Sequence, residues 1–156
     1  MRKEHFCWRS GYRLEKFHEG SVKPFEVREG KGNIGLEEGF DKIWALVIGG
    51  LNPFDNASAR IGVGDSSIAA NASQTGLQAT PNILYKGMTI GYPTNKAQVG
   101  RMYFRSEFAT NEANFAWEEW AVDENTDAKN LNRKVENLGT KNGGTWALEI
   151  YLQLQN

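Results

Sequence analysis

The segment GVGDSS at 62–67 combines glycine, carboxylate and hydroxyl groups, as phosphate-binding loops and nucleophile sites do. A dinucleotide-binding loop would need a third glycine where Ser67 stands and a parallel βαβ pattern, and the sequence has neither. A nucleophilic serine would need the order G-x-S-x-G, and only His5 or His18 could be its base. The segment instead predicts a tight turn or close backbone approach at a strand end, with an aspartate bonding the backbone two residues on. The turn residues are Gly62, Gly64 and Asp65.

Glu118 and Glu119 are adjacent carboxylates in a predicted strand. Neighbouring strand residues point to opposite faces, so the two cannot act on one glycosidic bond. Because aromatic residues surround them, we expect one glutamate to be buried and hydrogen-bonded or paired with an arginine, either Arg133 or Arg105. No catalytic residue is predicted, and the protein is expected not to be an enzyme.

Metal and cofactor sites are not indicated. His5 and His18 lie thirteen residues apart without supporting cysteines or clustered aspartates. The run DENTDAKN at 123–130 lacks the ligand spacing and closing glutamate of a calcium loop, and a solvated turn between two strands is the favoured interpretation. Cys7 is the only cysteine, so no intramolecular disulfide can form. We predict no cofactor.

Four aromatic residues on predicted strands allow two interpretations. They could stack against sugar rings, or they could fill a core or subunit interface, which is the more usual use of aromatics at alternating strand positions. A glycan-binding role therefore stays open behind a structural one. The four are Tyr103, Trp117, Trp120 and Tyr151.

The composition indicates one globular domain. The chain has 156 residues, of which 40% are apolar and 24% charged. Eighteen basic and nineteen acidic residues give a net charge of −1, which argues against a dedicated nucleic-acid binder. The opening MRKEHFCWRS lacks the apolar core of a signal peptide, and the apolar run at 43–51 is too short to cross a bilayer. We expect a protein that is made in cytoplasm, is not secreted and does not bind a membrane.

One helix is predicted, over 36–48, because apolar residues recur there at steps of three and four. Gly49 and Gly50 end it. The longest irregular stretch, 65–100, is typical of a binding or assembly loop. The residues predicted to form one apolar helix face are Leu36, Phe40, Ile43, Trp44 and Val47.

The remaining pattern is that of antiparallel strands, at 59–63, 101–108, 114–122, 131–136 and 145–155. The last is the clearest, since Trp146, Leu148, Ile150, Leu152 and Leu154 alternate with polar residues. We predict a mainly β fold, an antiparallel sandwich or barrel-like sheet with the one helix on it.

An extended amino-terminal arm is predicted over 1–25, ahead of a single β-rich domain at 26–156. Five basic and two acidic residues give 1–18 a charge of +3, and the apolar alternation is weak. We therefore expect the arm to become ordered only against a partner. The candidate interface residues are Arg2, Phe6, Trp8, Arg9, Tyr12, Tyr92 and Tyr151.

Three segments carry a resemblance that covers about residues 25–154: IGVGDSS, EANFAWEEWAV and LNRKVENLGTK. With these, the chain resembles a family of small structural proteins of tailed bacteriophages. The order of helix, glycine turn and glutamate-bearing strand is also similar to the amino-terminal domain of phage tail-collar fibre proteins. The sequence ends at Asn156, directly after the last predicted strand, which favours a stand-alone building block over a fibre.

The resemblance implies a non-enzymatic virion structural protein, most readily a capsid decoration or cement protein. A tail-collar, baseplate or neck adaptor is the alternative within the same class, and a glycan-binding module is the alternative from another class. The implied partners are the major capsid protein or tail and neck proteins, together with further copies of this chain. The expected location is the virion, after synthesis in the host cytoplasm.

Overall fold

The structure is a computed structural model that describes residues 7–155. This part of the chain forms ten strands and one helix, and the predicted mainly β fold with a single helix is confirmed. In chain order the elements are β1 (Cys7–Phe17), β2 (Glu26–Lys31), β3 (Ile34–Gly35), α1 (Glu37–Val47), β4 (Ala59–Gly64), β5 (Ile83–Gly87), β6 (Arg101–Phe108), β7 (Ala116–Glu124), β8 (Lys129–Asn130), β9 (Asn132–Thr140) and β10 (Thr145–Gln155).

The first sheet has four antiparallel strands in the order β2-β1-β10-β6. Strand β10 lies between β1 and β6, and its alternation follows the prediction. Four of its five predicted inward residues are buried, while Leu154, near the end of the strand, stays 40% exposed. The four buried residues are Trp146, Leu148, Ile150 and Leu152.

The second sheet has six strands, ordered β3-β9-β7-β4-β5, with β8 paired to β7. The pairing of β7 with β9 shifts register between Trp117 and Glu119. Across this shift β7 advances by two positions and β9 by four, so the irregularity places two extra residues on β9. Trp117 and Trp120, on either side of the shift, both belong to the core although three positions separate them. The predicted irregular stretch 65–100 contains β5, which pairs with β4 at the edge of this sheet.

Aromatic rings join the two sheets into a sandwich. The Trp117 ring packs edge-on against Phe108 of the first sheet, with centroids 4.8 Å apart, and against Trp146, at 4.9 Å. Its indole N–H donates to the Ala113 carbonyl at 3.0 Å, which satisfies the buried polar atom of the ring. The core therefore sits between the inner faces of the sheets, where the apolar sides of β1, β6 and β10 meet those of β4 and β7.

The predicted arm is wrong for the part of it that the structure describes. Strand β1 pairs with β10 over its whole length, and Leu14 is fully buried. The apolar alternation of β1 is weak because Ser10 and Lys16 occupy inward positions, where both are buried. The Lys16 amine lies 4.3 Å from the Trp146 ring centroid and 3.0 Å from Glu26, so its charge is paired inside the fold. Strand β1 therefore belongs to the domain, and the boundary predicted at residue 25 does not hold.

The helix forms where it is predicted, within one residue at each end, but the predicted apolar face is only partly buried. Leu36 is fully buried, whereas Trp44 and Val47 are exposed. The reason is Gly39, where a Cβ would lie 2.5 Å from the Leu131 Cα. This close approach turns the Gly39 side of α1 towards the sheet and leaves part of its apolar side facing outward.

Candidate interaction surface

The outward side of α1 carries large apolar side chains at helical spacing. Trp44 is 67% exposed, Val47 68% and Ile48 87%, and Phe40, one turn earlier, is 37% exposed. Phe40, Trp44 and Val47 share one side of the helix because they are separated by steps of four and three, and Ile48, the C-cap residue, follows Trp44 by four. We call these four residues the α1 apolar face.

A buried lysine fixes the other side of α1 to the turn between β7 and β8. The Lys42 amine donates to the Leu51 carbonyl at 3.0 Å and to the Asp127 carboxylate. It also lies 3.7 Å from Oε2 of Glu124, whose carboxylate is fully buried. Because Lys42 anchors the helix on this side, the α1 apolar face is held outward as part of the folded domain.

The buried carboxylate of Glu124 is stabilised in its charged form. Burial would raise the pKa of Glu124, but the N–H groups of Asp127 and Thr126 donate to it at 2.9 and 2.8 Å, and with Lys42 nearby its pKa is lowered. The hydrogen bond from Lys42 likewise lowers the pKa of Asp127. The cluster is therefore an ion-pair network that stabilises the packing of α1 on the β7–β8 turn. Its carboxylates accept hydrogen bonds from Lys42 and from backbone N–H groups.

Trp8 links the helix to strand β1. Its ring meets Phe40 edge-on at a centroid distance of 5.3 Å, and its indole N–H donates to Oδ1 of Asn33 at 2.7 Å. The Phe40 ring in turn lies over Gly35, where a Cβ would be 2.4 Å from the ring. The amino-terminal end of the α1 apolar face thus continues directly onto β1.

The outer face of the first sheet is polar and is built around Tyr151. Its ring lies across Gly11, the residue directly opposite on β1, where a Cβ would be 2.4 Å from Cε1 of the ring. The guanidinium of Arg101 stacks 3.9 Å from the Tyr151 ring centroid. The Tyr103 ring is next to it, at 6.1 Å and tilted by 51°.

The predicted interface residues fall into three groups. Trp8, Arg9 and Tyr151 line one cleft on the outer face of the first sheet. Tyr12 is instead a core residue, so its predicted interface role is wrong: its hydroxyl donates to Glu136 at 2.8 Å, and burial followed by this bond raises its pKa to about 12.

The third group comprises the candidates that do not join that cleft. Tyr92 is half-buried, and its hydroxyl donates to Glu149 at 2.7 Å, which raises the pKa of Tyr92. Arg2 and Phe6 lie outside the described residues. The sequence interpretation therefore found part of one cleft but did not bring its seven candidates together.

The predicted glycine turn is a strand instead. Gly62 and Gly64 lie within β4 and allow close approach, since a Cβ at 62 would be 2.5 Å from the Tyr85 ring and one at 64 would be 2.7 Å from Oε1 of Glu119. Asp65 accepts a hydrogen bond from the Asn82 side chain at 2.6 Å. Of the two alternatives predicted for the glycines, close backbone approach is confirmed and the turn is not.

The turn after β4 is capped by a hydroxyl. The backbone N–H of Ile68 donates to Oγ of Ser66 at 3.3 Å, two residues earlier in the chain. The bond predicted for Asp65 two residues on is therefore made one position later, by serine.

The predicted pairing of a buried glutamate with Arg133 is confirmed for Glu119. Nε of Arg133 lies 2.6 Å from Oε2 of Glu119, and both side chains are fully buried. The N–H groups of Gln78 and Ala79 also donate to this carboxylate, at 2.7–3.1 Å. Glu118 is separate and accepts a bond from Asn137 at 2.9 Å. The Glu119 carboxylate is saturated by structural partners.

The predicted aromatic platform does not form. Trp117 and Trp120 are fully buried, so neither can stack against a sugar, and their alternative role as core residues is confirmed. Tyr103 and Tyr151 remain partly exposed, but Arg101 covers part of Tyr151.

No protein-family model, curated protein or solved structure matches this chain. Within residues 7–155, no group of three or more His, Cys, Asp or Glu side chains is placed to hold a metal ion. In the same range, the helix is neither long nor apolar enough to span a membrane.

Proposed function

We propose that this protein is a non-enzymatic structural component of a tailed-bacteriophage particle and joins it by binding neighbouring particle proteins through the α1 apolar face. The observation that carries the proposal is the exposure of Trp44, Val47 and Ile48 on a helix that is fixed from its other side. Contiguous exposed apolar surface on a water-soluble domain marks an interaction site. The sequence resemblance to phage structural proteins is the basis for proposing a bacteriophage particle as the assembly that the protein joins.

The size of the face suits a protein partner. Four side chains of this kind bury on the order of 400 Å² when they are covered. A polar rim around them would bring the interface towards the roughly 800 Å² per partner of a standard protein complex. Trp44 is of the residue type that most often dominates binding energy at the centre of such interfaces.

Capsid decoration is the particular role we favour, with a tail-collar, baseplate or neck adaptor as the alternative. The α1 apolar face would serve either role, because both require attachment to another protein. The two differ in symmetry and copy number: decoration means on the order of hundreds of copies per particle, and a ring adaptor about a dozen. A glycan-binding role has less support, since Trp117 and Trp120 are in the core.

Incorporation into particles tests the proposal. Phage particles would be assembled in cells that supply either the wild-type protein or the double variant Trp44→Ser/Ile48→Ser, then purified and quantified by mass spectrometry. We expect the wild type to be incorporated and the double variant to fall by about tenfold or more, as for loss of an interface centre. Copy number from the same measurement separates decoration from adaptor.

The matched control is Val22→Ser/Ile90→Ser, which removes two apolar side chains that are 91% and 94% exposed away from α1. Both double variants are expected to keep the thermal transition of the wild type, because exposed substitutions change stability by about 0.5 kcal/mol or less. Absence of the wild type from particles would refute the structural role. Equal incorporation of the two double variants would refute the assignment of the α1 apolar face.

A further inference from the structure

A cleft of about 380 Å³ lies on the outer face of the first sheet, between the start of β1 and the end of β10. Three basic residues line it, and no carboxylate is among its lining residues. We call it the Arg101 cleft; its basic residues are Arg9, Lys31 and Arg101.

In the described part of the chain, no carboxylate neutralises the positive charge of the Arg101 cleft. Within residues 7–155, none of its three basic side chains forms an ion pair. The cleft next to it, on the other side of Tyr151, differs in this respect: there Arg13 pairs with Glu29 at 2.6 Å. Lys31 and Tyr151 line both clefts. The two clefts differ in charge because Glu29 and Glu149 line the neighbouring cleft and no carboxylate lines the Arg101 cleft.

The guanidinium of Arg101 is held ready for an acceptor. It stacks on Tyr151, donates twice to Oε1 of Gln153, at 3.2 and 2.8 Å, and donates once to the Tyr103 hydroxyl at 3.2 Å. An arginine has five N–H donors, so two remain for a ligand. Because the side chain is already ordered, a carboxylate that binds it loses less free energy to side-chain ordering.

A free strand edge adjoins the cleft. Strand β1 pairs with β10 from Cys7 onward, whereas its ladder with β2 begins at Gly11 and is extended only by a bond from the Gly32 N–H to the Ser10 carbonyl at 3.0 Å. Within the described chain, the stretch of β1 around Trp8 and Arg9 therefore has a neighbouring strand on one side only. An extended peptide can add to such an edge through main-chain hydrogen bonds.

We infer that the Arg101 cleft binds an acidic segment of a partner protein in extended conformation. Its carboxylates would meet Arg101 and Lys31, and its backbone would lie along the open edge of β1. A peptide is favoured over an acidic sugar because Tyr151 lies against Gly11 and beneath Arg101, which leaves little of its ring for stacking.

This inference stands apart from the α1 apolar face. Trp8 lies between the two surfaces, since it packs on Phe40 and also lines the Arg101 cleft. One partner could touch both, yet each surface is carried by its own residues. The variants that test them do not overlap.

Binding of a fluorescent hexaglutamate peptide tests the inference, with hexaglutamine as the neutral control. We expect hexaglutamate to bind, its affinity to fall as salt is raised, and hexaglutamine not to bind. Arg101→Gln should weaken binding by about tenfold to a hundredfold, as expected for loss of charge-assisted hydrogen bonds. Lys23→Gln, which removes one exposed basic charge outside the cleft, should bind like the wild type.

Two further double variants test whether a loss of binding comes from unfolding or from the α1 apolar face. Arg9→Gln/Lys31→Gln removes charge at exposed positions that do not hold the fold, and should weaken binding with an unchanged thermal transition. Trp44→Ser/Ile48→Ser should bind hexaglutamate like the wild type, so failure of the helix proposal would leave this one standing.

Three results would overturn the inference: absence of hexaglutamate binding, equal binding by the Arg101→Gln and Lys23→Gln variants, or stronger binding of another anion. The last is measured by competition with inorganic phosphate and with an oligogalacturonate of matched charge. Displacement of the peptide by phosphate at equal charge concentration would make the cleft a general anion site. Tighter binding of oligogalacturonate would make it a site for acidic sugars.

Discussion

Glu119 of β7 and Arg133 of β9 form an ion pair that is completely withdrawn from water, with 2.6 Å between Oε2 and Nε. The carboxylate also receives the backbone N–H groups of Gln78 and Ala79, so the pair ties the segment before β5 onto the sheet. A second donor of the guanidinium, Nη1, reaches Oε1 of Gln74 at 2.9 Å. The pair therefore organises a connection that has little regular structure of its own.

Removing one partner of this pair should be strongly destabilising, because it leaves the other charge buried without compensation. We expect Glu119→Ala to lower the free energy of unfolding by about 3–5 kcal/mol, measured by urea denaturation. Glu118→Ala is the matched control, since its exposed bond to Asn137 contributes about 1 kcal/mol or less. A Glu119 variant as stable as the Glu118 variant would contradict a structural role for the pair.

Apolar–polar alternation in the sequence predicts the strands that have one apolar and one polar face. It does not predict a strand in which polar side chains point inward. The alternation of β10 is visible in the sequence because large apolar residues fill its inner face. Strand β1 has Ser10 and Lys16 at inner positions, and Lys16 is stabilised there by Trp146, whose place beside it is not visible in the local sequence. Because folding alone brings these partners together, the local sequence of β1 predicts an arm and not a core strand.

Because β1 is a strand of the domain, its removal should unfold the protein, whereas removal of a detachable arm would leave the fold intact. Deleting residues 1–20 should abolish the cooperative thermal transition, because β10 loses one of its two neighbouring strands along its whole length. Leu14→Ala, at a fully buried position, should cost about 2–5 kcal/mol. Arg13→Ala, on the exposed side of the same strand, should cost about 1 kcal/mol or less. A cooperative melt in the truncated protein would show that β1 is dispensable.

The candidate surface was harder to predict than the fold. The sequence predicts helix α1 and its apolar residues, but the helix packs on the sheet through Gly39 and Lys42. Burial of Lys42 requires Glu124 and Asp127, which lie more than eighty positions later in the chain. The local sequence does not show that cluster. It therefore predicts that an amphipathic helix buries its whole apolar side, and it does not predict the exposed α1 apolar face.

The cluster that anchors α1 should give the protein an acid-sensitive component of stability. The pKa of Glu124 is lowered below its ordinary 4.5, so its contribution is present above about pH 4.5 and is lost as pH falls through the folded-state value. We expect Glu124→Gln to lower the free energy of unfolding by about 1–3 kcal/mol at pH 7. The difference from the wild type should narrow progressively below pH 4.5, as measured by urea denaturation across pH.

The control for this titration is Glu37→Gln, which removes an exposed carboxylate from the first turn of the same helix. It should change stability by about 1 kcal/mol or less, the size of a helix-dipole contribution. A constant difference between wild type and Glu124→Gln from pH 7 down to pH 3 would contradict the assigned role of the ionised carboxylate.

The two faces of β10 should respond differently to truncation. Trp146 is buried between the Trp117 ring, 4.9 Å away, and the Lys16 amine, 4.3 Å from its centroid, so Trp146→Ala should cost about 3–5 kcal/mol. Gln153 lies on the outer face, where it holds Arg101, and Gln153→Ala should cost about 1 kcal/mol or less. Urea denaturation of both variants measures the difference. If Gln153→Ala lost as much stability as Trp146→Ala, the outer face would also have to be buried, most simply against a second copy of the sheet. In that case the Arg101 cleft would be closed in the assembled protein, and hexaglutamate would bind only the dissociated form.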